Sequence, residues 1–452
     1  MVWRKTGTSL LSVVMLSVCG AAQTGKSAMR GGGAPPPKTA AAGETAAPAR
    51  LDALRAEGFE ALYNLDYERA RAKFKEVARL FPDHPAGPQF LAAALWLKTL
   101  NESRRLQASL YNTEGFYAKA KEQTDPKVVA EFRELAAQAK SLAQARLKRD
   151  PKDTEALYYY GATEGLKAAF AGAVERSFYS AWRDGQEAAE RHRELLKLDP
   201  DFHDAEITVG MYDYIAATLP LPFRIGGSLI GVRGSKKRGL QTLERVAREG
   251  RWAQDDAKVL LIALYKREGR FGEALAFARE LSAKYQRNYL FKLETADALV
   301  SLAAAGRASD PEAAGKSERE AFTIFDALLQ QKPAKGEPAR PLDLIYFSYG
   351  QALAVAGQHE RAAKEYLTGA AVPGAERGLS TMSRLRAAQS LDQAGRREEA
   401  LARYKEVLAL PNVYDSHEEA ERGLKEAFRP RERGAEDSGG RAGQKMAAGS
   451  EE

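Results

Sequence analysis

Between Leu51 and Phe428, apolar residues recur three and four positions apart with charged residues on the opposite face. No stretch alternates apolar with polar between hairpin turns, so the pattern predicts helices and no sheet. The helices come in pairs. Leu51 to Phe81 makes a first pair broken at Asn64-Leu65-Asp66. Gly87 to Leu100 is an apolar helix, Asn101 to Thr113 carries a weaker pattern, and Pro126 to Lys148 is long and amphipathic. Asp153 to Phe170 opens a pair whose second helix ends at Leu198, and Ala205 to Ala217 and Ser235 to Arg248 flank an irregular stretch. Gln254 to Lys284 turns at Gly269-Arg270, and Asn288 to Ala304 pairs with Lys316 to Gln331 across a loop from Gly306 to Gly315. Pro341 to Pro373 turns at Gly357-Gln358, Gly378 to Leu410 follows, and Ser416 to Phe428 reads as a final helix covering the end.

Small residues recur inside these pairs at fixed offsets. In the Pro341 to Pro373 pair, Gly350 stands twelve residues before Ala362, and Tyr366 follows four later. Gly350 and Ala362 carry almost no side chain, so the paired helices can approach closely there. Ala362 and Tyr366 share one helix face, where the ring fills the groove beside the neighbouring helix. Pro373 stops the second helix, because proline cannot continue the hydrogen-bond ladder. The small, aromatic and proline positions return as Ala70, Phe74, Pro82 and as Ala321, Phe325, Pro333. Alanine and proline alone return as Ala139/Pro151 and Ala188/Pro200, Ala400 and Tyr404 precede Pro411, and Gly58 stands twelve before Ala70. On these residues the chain resembles the tetratricopeptide repeat family. The resemblance implies an all-α solenoid of helix-turn-helix units coiled as a right-handed superhelix, with an irregular central insertion. It also implies a concave surface, built from the first helices of successive pairs, that suits an extended peptide or a partner helix.

The centre departs from a plain repeat. Phe170 to Trp182 lengthens one pair, and Leu219 to Gly234 inserts a Pro/Gly-rich apolar segment into the next. Tyr160-Gly161, Ala181-Trp182-Arg183-Asp184-Gly185, Asp199-Pro200, Gly210-Met211-Tyr212-Asp213-Tyr214 and Leu219-Pro220-Leu221-Pro222 follow in order. Across about Asp153 to Phe291 this order is similar to the tetratricopeptide repeat protein 39 family, its fungal mitochondrial outer-membrane relatives and exported bacterial repeat proteins. That similarity implies a helical adaptor and brings no catalytic motif with it.

The first 22 residues read as an export signal: Arg4 and Lys5, an apolar run to Val18, then Gly20, Ala21 and Ala22. Cleavage after Ala22 and lipidation at Cys19, within a sequence approximating a lipoprotein box, both stay open. Residues 23–50 are an Ala/Gly/Pro linker, 51–303 the first repeats with the insertion at 219–234, 304–429 the later repeats and cap, and 430–452 a tail with too little apolar bulk to fold. The letters Gly20 to Ser27 match a phosphate loop, but a signal core precedes them and a Gly/Pro run follows, where a strand and helix would be needed. Cys19 is the only cysteine, which excludes disulfides and thiol catalysis from the folded part.

The formal charge of +7 is spread along the chain and gives no reason to expect nucleic-acid binding. Glu190, His192, Glu194, His203, Asp204 and Glu206 are the densest set of metal-ligand types, yet they lack a metal-binding spacing and Pro200 divides them. His192 sits at the aromatic position of its repeat, which predicts a packed ring. Ten aromatics cluster between Tyr158 and Tyr214, and the three successive tyrosines 158 to 160 predict at least one at the surface. In the insertion, Phe223, Ile225, Leu229 and Ile230 followed by Lys236, Lys237 and Arg238 could meet anionic lipid or pack on the array. The positions at which some repeat adaptors grip a terminal carboxylate hold Phe347 and Gln351 in one repeat and Arg55 and Phe59 in the first. The expectation is therefore a non-catalytic, cofactor-free scaffold for a protein or peptide in the bacterial cell envelope. The alternative is an accessory that meets membrane or an apolar ligand through the insertion and the aromatic cluster.

Overall fold

The computed structural model describes residues 46–106, 124–219, 234–330, 332 and 340–430. Cys19, Pro333 and the insertion residues Phe223, Ile225, Leu229 and Ile230 lie outside these described residues. Within them are seventeen α-helices, one short 3-10 turn and no strand.

The helices run as antiparallel hairpins, a first and a second member each. They are α1 (Ala46–Tyr63) with α2 (Tyr67–Leu80), α3 (Ala86–Glu102) with α4 (Pro126–Arg149), α5 (Thr154–Ala173) with α6 (Phe178–Leu198), and α7 (Glu206–Thr218) with α8 (Lys236–Glu249). Then come α9 (Gln254–Arg267) with α10 (Phe271–Lys284), α11 (Tyr289–Gly306) with α12 (Pro311–Gln330), α13 (Leu342–Val355) with α14 (His359–Ala370), and α15 (Arg377–Gln393) with α16 (Arg397–Leu408). The last helix, α17 (Ser416–Lys425), buries only Ser416, Ala420 and Gly423 and turns its charged side outward, closing the end. Each hairpin packs on the next, giving an all-α helical-repeat solenoid of tetratricopeptide type.

First and second members differ for a physical reason. Second members such as α8 and α14 are amphipathic, burying one stripe and leaving the rest in water. First members are flanked by helices on several sides and are apolar around most of their circumference, α5 being buried from Ala156 through Glu164 without interruption. This corrects the surface position expected within Tyr158 to Tyr160: all three rings are buried. Tyr158 stacks on His192, Tyr159 meets His84 and Phe90, and the Tyr160 hydroxyl donates to Glu187 at 2.6 Å. Successive residues point in different directions, but here every direction holds a neighbour.

The turns follow local chemistry. Gly269, Gly357 and Gly395 each lie two residues before a second helix at φ of 76°, 77° and 76°, the left-handed region that glycine enters without a Cβ clash. In the first hairpin the same position is Leu65, at φ 61°. Helix α12 starts at Pro311, not at Lys316 as the sequence pattern suggested. Asp310 accepts from the Ala313 N–H, and proline is well placed in a first turn where its missing N–H costs nothing. Helix α1 starts at Ala46, so the end of the expected linker is helical. The α5–α6 hairpin is long, with helices of 20 and 21 residues against 14 and 14 in α9–α10.

The array is not open along its whole length. The α1–α2 hairpin and the end of α3 reach hairpins far along the chain. Asp52 pairs with Arg251, Tyr63 donates to Asp256, and Asn288 donates to the Tyr63 carbonyl at 2.7 Å. Arg287 pairs with Asp66, Tyr289 donates to Asn101 at 2.7 Å, and Arg104 meets Asp343 at 3.1 Å. These partners sit at the starts of α9, α11 and α13.

Candidate interaction groove

The repeat residues named from the sequence lie in the spine between hairpins. Ala70, Phe74, Ala188, Ala321, Phe325, Ala362, Tyr366, Ala400 and Tyr404 are buried, whereas Pro82 and Pro200 stand exposed in turns just after helices. A Cβ on Gly58 would lie 2.2 Å from the Phe74 ring, and one on Gly350 would lie 2.7 Å from Tyr366. Two further seats of this kind escaped the sequence reading. Gly161 faces His192 at 2.2 Å, and Gly423 of the closing helix faces Tyr404 at 2.3 Å.

His192 is fully buried between α5 and α7. Its Nε2 lies 2.9 Å from the Tyr158 carbonyl, which can only accept, so Nε2 carries the proton and Nδ1 accepts from the Thr208 hydroxyl at 2.7 Å. Burial pushes its pKa down to about 4, outweighing the carbonyl contacts that favour the charged ring. The neighbouring acids of the metal-ligand set are committed elsewhere. Asp204 accepts from the Trp252 and Ala253 N–H groups at 2.8 and 2.7 Å, and Glu206 is held by Arg245 at 2.6 and 2.7 Å. Among the described residues no group of three such side chains is placed to hold a metal.

Arg55, at a carboxylate-gripping position of the first repeat, cannot reach a partner. It is 1% exposed, with the Trp252 ring 3.8 Å from its guanidinium carbon and Asp52 at 2.8 Å. Phe59 and Phe347 are buried too. The basic cluster at the start of α8 is largely spoken for: Lys236 pairs with Glu268 at 2.8 Å and Arg238 with Asp213, while Lys237 is exposed.

Besides a cleft of about 600 Å³ where Tyr63 and Leu65 face Ile262, Leu290 and Phe291, one of about 520 Å³, both counted out to the mouth, lies between α5, α6 and α7. Gly165, Ala168, Ala181, Gly185 and Ala188 form its small-residue floor, and Trp182, Met211, Tyr212 and Ile215 its walls, with Thr208 at one end. Trp182 and Tyr212 lie with ring centroids 5.3 Å apart. Gly185 differs in kind from the spine glycines: a Cβ there would meet nothing nearer than Ala168 at 3.7 Å. Helix packing does not demand a glycine at this point, and its absent side chain leaves space that no neighbour fills. The outer end of the same α6 face carries Phe178 and Tyr179, 36% and 78% exposed. Beneath the groove, Glu164 is wholly buried between Lys140 and Lys167, at 2.9 and 2.6 Å. Burial works against the Lys140 charge, but Glu164 and Glu187 hold its pKa above the ordinary lysine range. The charges here serve to fasten α4, α5 and α6 together, and the groove itself is apolar.

The sequence marked the aromatic walls but missed the floor. Its signal was two glycines in helix interiors, Gly165 and Gly185, lying off the repeat register.

Comparison with protein-family models finds no match, and comparison with curated proteins finds none either. Among solved structures the chain is similar to a human IFIT1 dimer with PPP-AAAA, at 14% identity over 84% of each chain and a TM-score of 0.43. It is also similar to yeast Tom70, at 12% identity over 84% of this chain and 92% of that one with a TM-score of 0.35. A tetratricopeptide repeat protein from Parabacteroides merdae matches at 12% identity over 75% of this chain and 99% of that one, with a TM-score of 0.29. All three are distant likenesses, and the hairpin architecture above rests on its own geometry.

Proposed function

We propose that the protein is a non-catalytic interaction scaffold that takes an apolar segment of a protein partner into the groove between α5, α6 and α7. The observation that carries this is the unfilled space over Gly185, flanked by Trp182, Met211 and Tyr212. An apolar side chain entering it would leave water for a surface already built from aromatic and aliphatic groups, at roughly 25 cal/mol per Å² covered. Aromatic walls over a small-residue floor are the usual setting of the few contacts that dominate an interface. The Arg4-Lys5 end, the apolar run and the small residues to Ala22 support export, and so a partner in the cell envelope.

The test is a quantitative pull-down from envelope extract with wild-type protein and Gly185→Leu, whose side chain would occupy the groove, both first checked for equal helical content. The proposal expects one partner retained by wild type and lost by at least tenfold in the variant. Equal recovery of that partner by both proteins would overturn it.

A lipid-contacting accessory is the second reading, favoured by the exposure of Phe178 and Tyr179 at the turn end of the long hairpin. Flotation with anionic phosphatidylglycerol vesicles separates the two. A scaffold stays in the protein-only fraction, whereas an accessory floats and loses flotation on Tyr179→Ser.

A further inference from the structure

In an ordinary solenoid each hairpin touches only its neighbours in sequence, so the array loosens one unit at a time. Here the first hairpin and the end of α3 break that rule at three places. Tyr63 meets Asp256 across 193 positions and Asn288 across 225, and Arg104 meets Asp343 across 239. The Tyr63 ring also stacks on Tyr285, with centroids 4.9 Å apart.

The turn itself is shaped for this. Three later hairpins place glycine in the left-handed region here, whereas the α5–α6 hairpin places Arg176 and this one Leu65, residues whose Cβ clashes in that conformation. Leu65 is 6% exposed and belongs to the same core as Leu290, Leu293 and Leu344 of the later hairpins. The turn is closed locally by the Leu65 and Asp66 N–H groups, which donate to the Leu62 and Ala61 carbonyls, and the Leu65 side chain ties it to the distant helices.

We infer that the α1–α2 hairpin and the end of α3 form a strap, which locks the starts of α9, α11 and α13 into one cooperative unit with the beginning of the chain. The strap fixes the curvature of the array and covers the edge where those helices begin.

The strap predicts that loosening one fastening loosens another that the altered residue does not touch. Hydrogen exchange followed by mass spectrometry on the full-length protein tests this with two variants. Tyr63→Ala removes the hydroxyl bond to Asp256 of α9 and the ring contacts with Tyr285 and Phe291, leaving the backbone bond to Asn288, and is read at residues 343–348. Arg104→Ala removes the fastening at α13 and is read at residues 252–258. Each variant is expected to speed exchange at its distant segment at least tenfold while α15–α17 stays within twofold of wild type. Effects confined to the altered fastening would overturn the strap, and so would equal acceleration throughout the array, which is general destabilisation. Should Tyr63→Ala not fold, Leu65→Asn, which tolerates the left-handed region but cannot fill the apolar seat, is read at residues 252–258, outside the core Leu65 shares.

Discussion

His192 shows how much a single buried ring determines. With a folded pKa near 4 against an ordinary value of 6.5, the unfolded chain takes up the proton first as the solution is acidified. Its contribution is therefore complete above pH 6.5 and is lost as the pH falls towards 4, by up to about 3 kcal/mol. Urea unfolding at pH 7, 6, 5 and 4.5 should show the midpoint falling in that window, and His192→Phe should flatten the part of the fall that belongs to this group. Arg55 makes the opposite case, a charge retained in the interior among Trp252, Phe90 and Tyr159. Arg55→Ala leaves its aromatic cage empty and Asp52 without its inner partner, so chemical denaturation should register a loss of about 3 kcal/mol or more. The ring packing of His192 was legible in the sequence, because it occupies the aromatic place four residues after Ala188. The burial of Arg55 was not: its cover, Trp252, comes from a hairpin almost two hundred positions later, and no local pattern carries that distance.

Between elements, the glycines divide into two kinds that a thermal melt can separate. At Gly58 and Gly350 a methyl group would press into Phe74 or Tyr366. Gly58→Ala and Gly350→Ala should each destabilise by about 1–3 kcal/mol, despite the gain in helix propensity. Gly185→Ala meets only an ordinary contact with Ala168 at 3.7 Å, so it should leave the melting temperature unchanged or raise it, by up to about 1 kcal/mol of helix preference. A clear loss of stability in Gly185→Ala would mean that the groove floor is packing after all. The hairpins were readable because small and aromatic residues recur at fixed offsets, and Gly350 with Tyr366 is that rule seen in contact. The start of α12 was misread because Gly306, Pro311 and Gly315 together look like a loop, whereas Asp310 and Pro311 in fact open a helix. The groove escaped for a related reason: an interior glycine costs helix stability wherever it stands, and the sequence does not say whether a ring fills the gap.

For the molecule as a whole, the repeat signature carried the solenoid but not its closure. Repeats describe how a hairpin meets the next one. The strap depends on how many hairpins it takes for the array to come back to its own beginning, a sum of small rotations that no single repeat displays. The clues were present one at a time: Leu65 at a turn where three later hairpins have glycine, Arg104 just past the end of α3, and Asp343 at the start of α13. They become intelligible only together.

The pairing of Arg104 with Asp343 also sets a clock on biosynthesis. At roughly 5–20 residues per second, the ribosome delivers Asp343 some 12–48 seconds after Arg104, the two being 239 positions apart. For the first part of that interval, until Trp252, Asp256 and Leu290 are made, the nascent first hairpin holds the Arg55 cage, Tyr63 and Leu65 as unfinished, sticky surface. The array thus stays unclosed until α13 is made, and whatever shelters the emerging chain must do so until then.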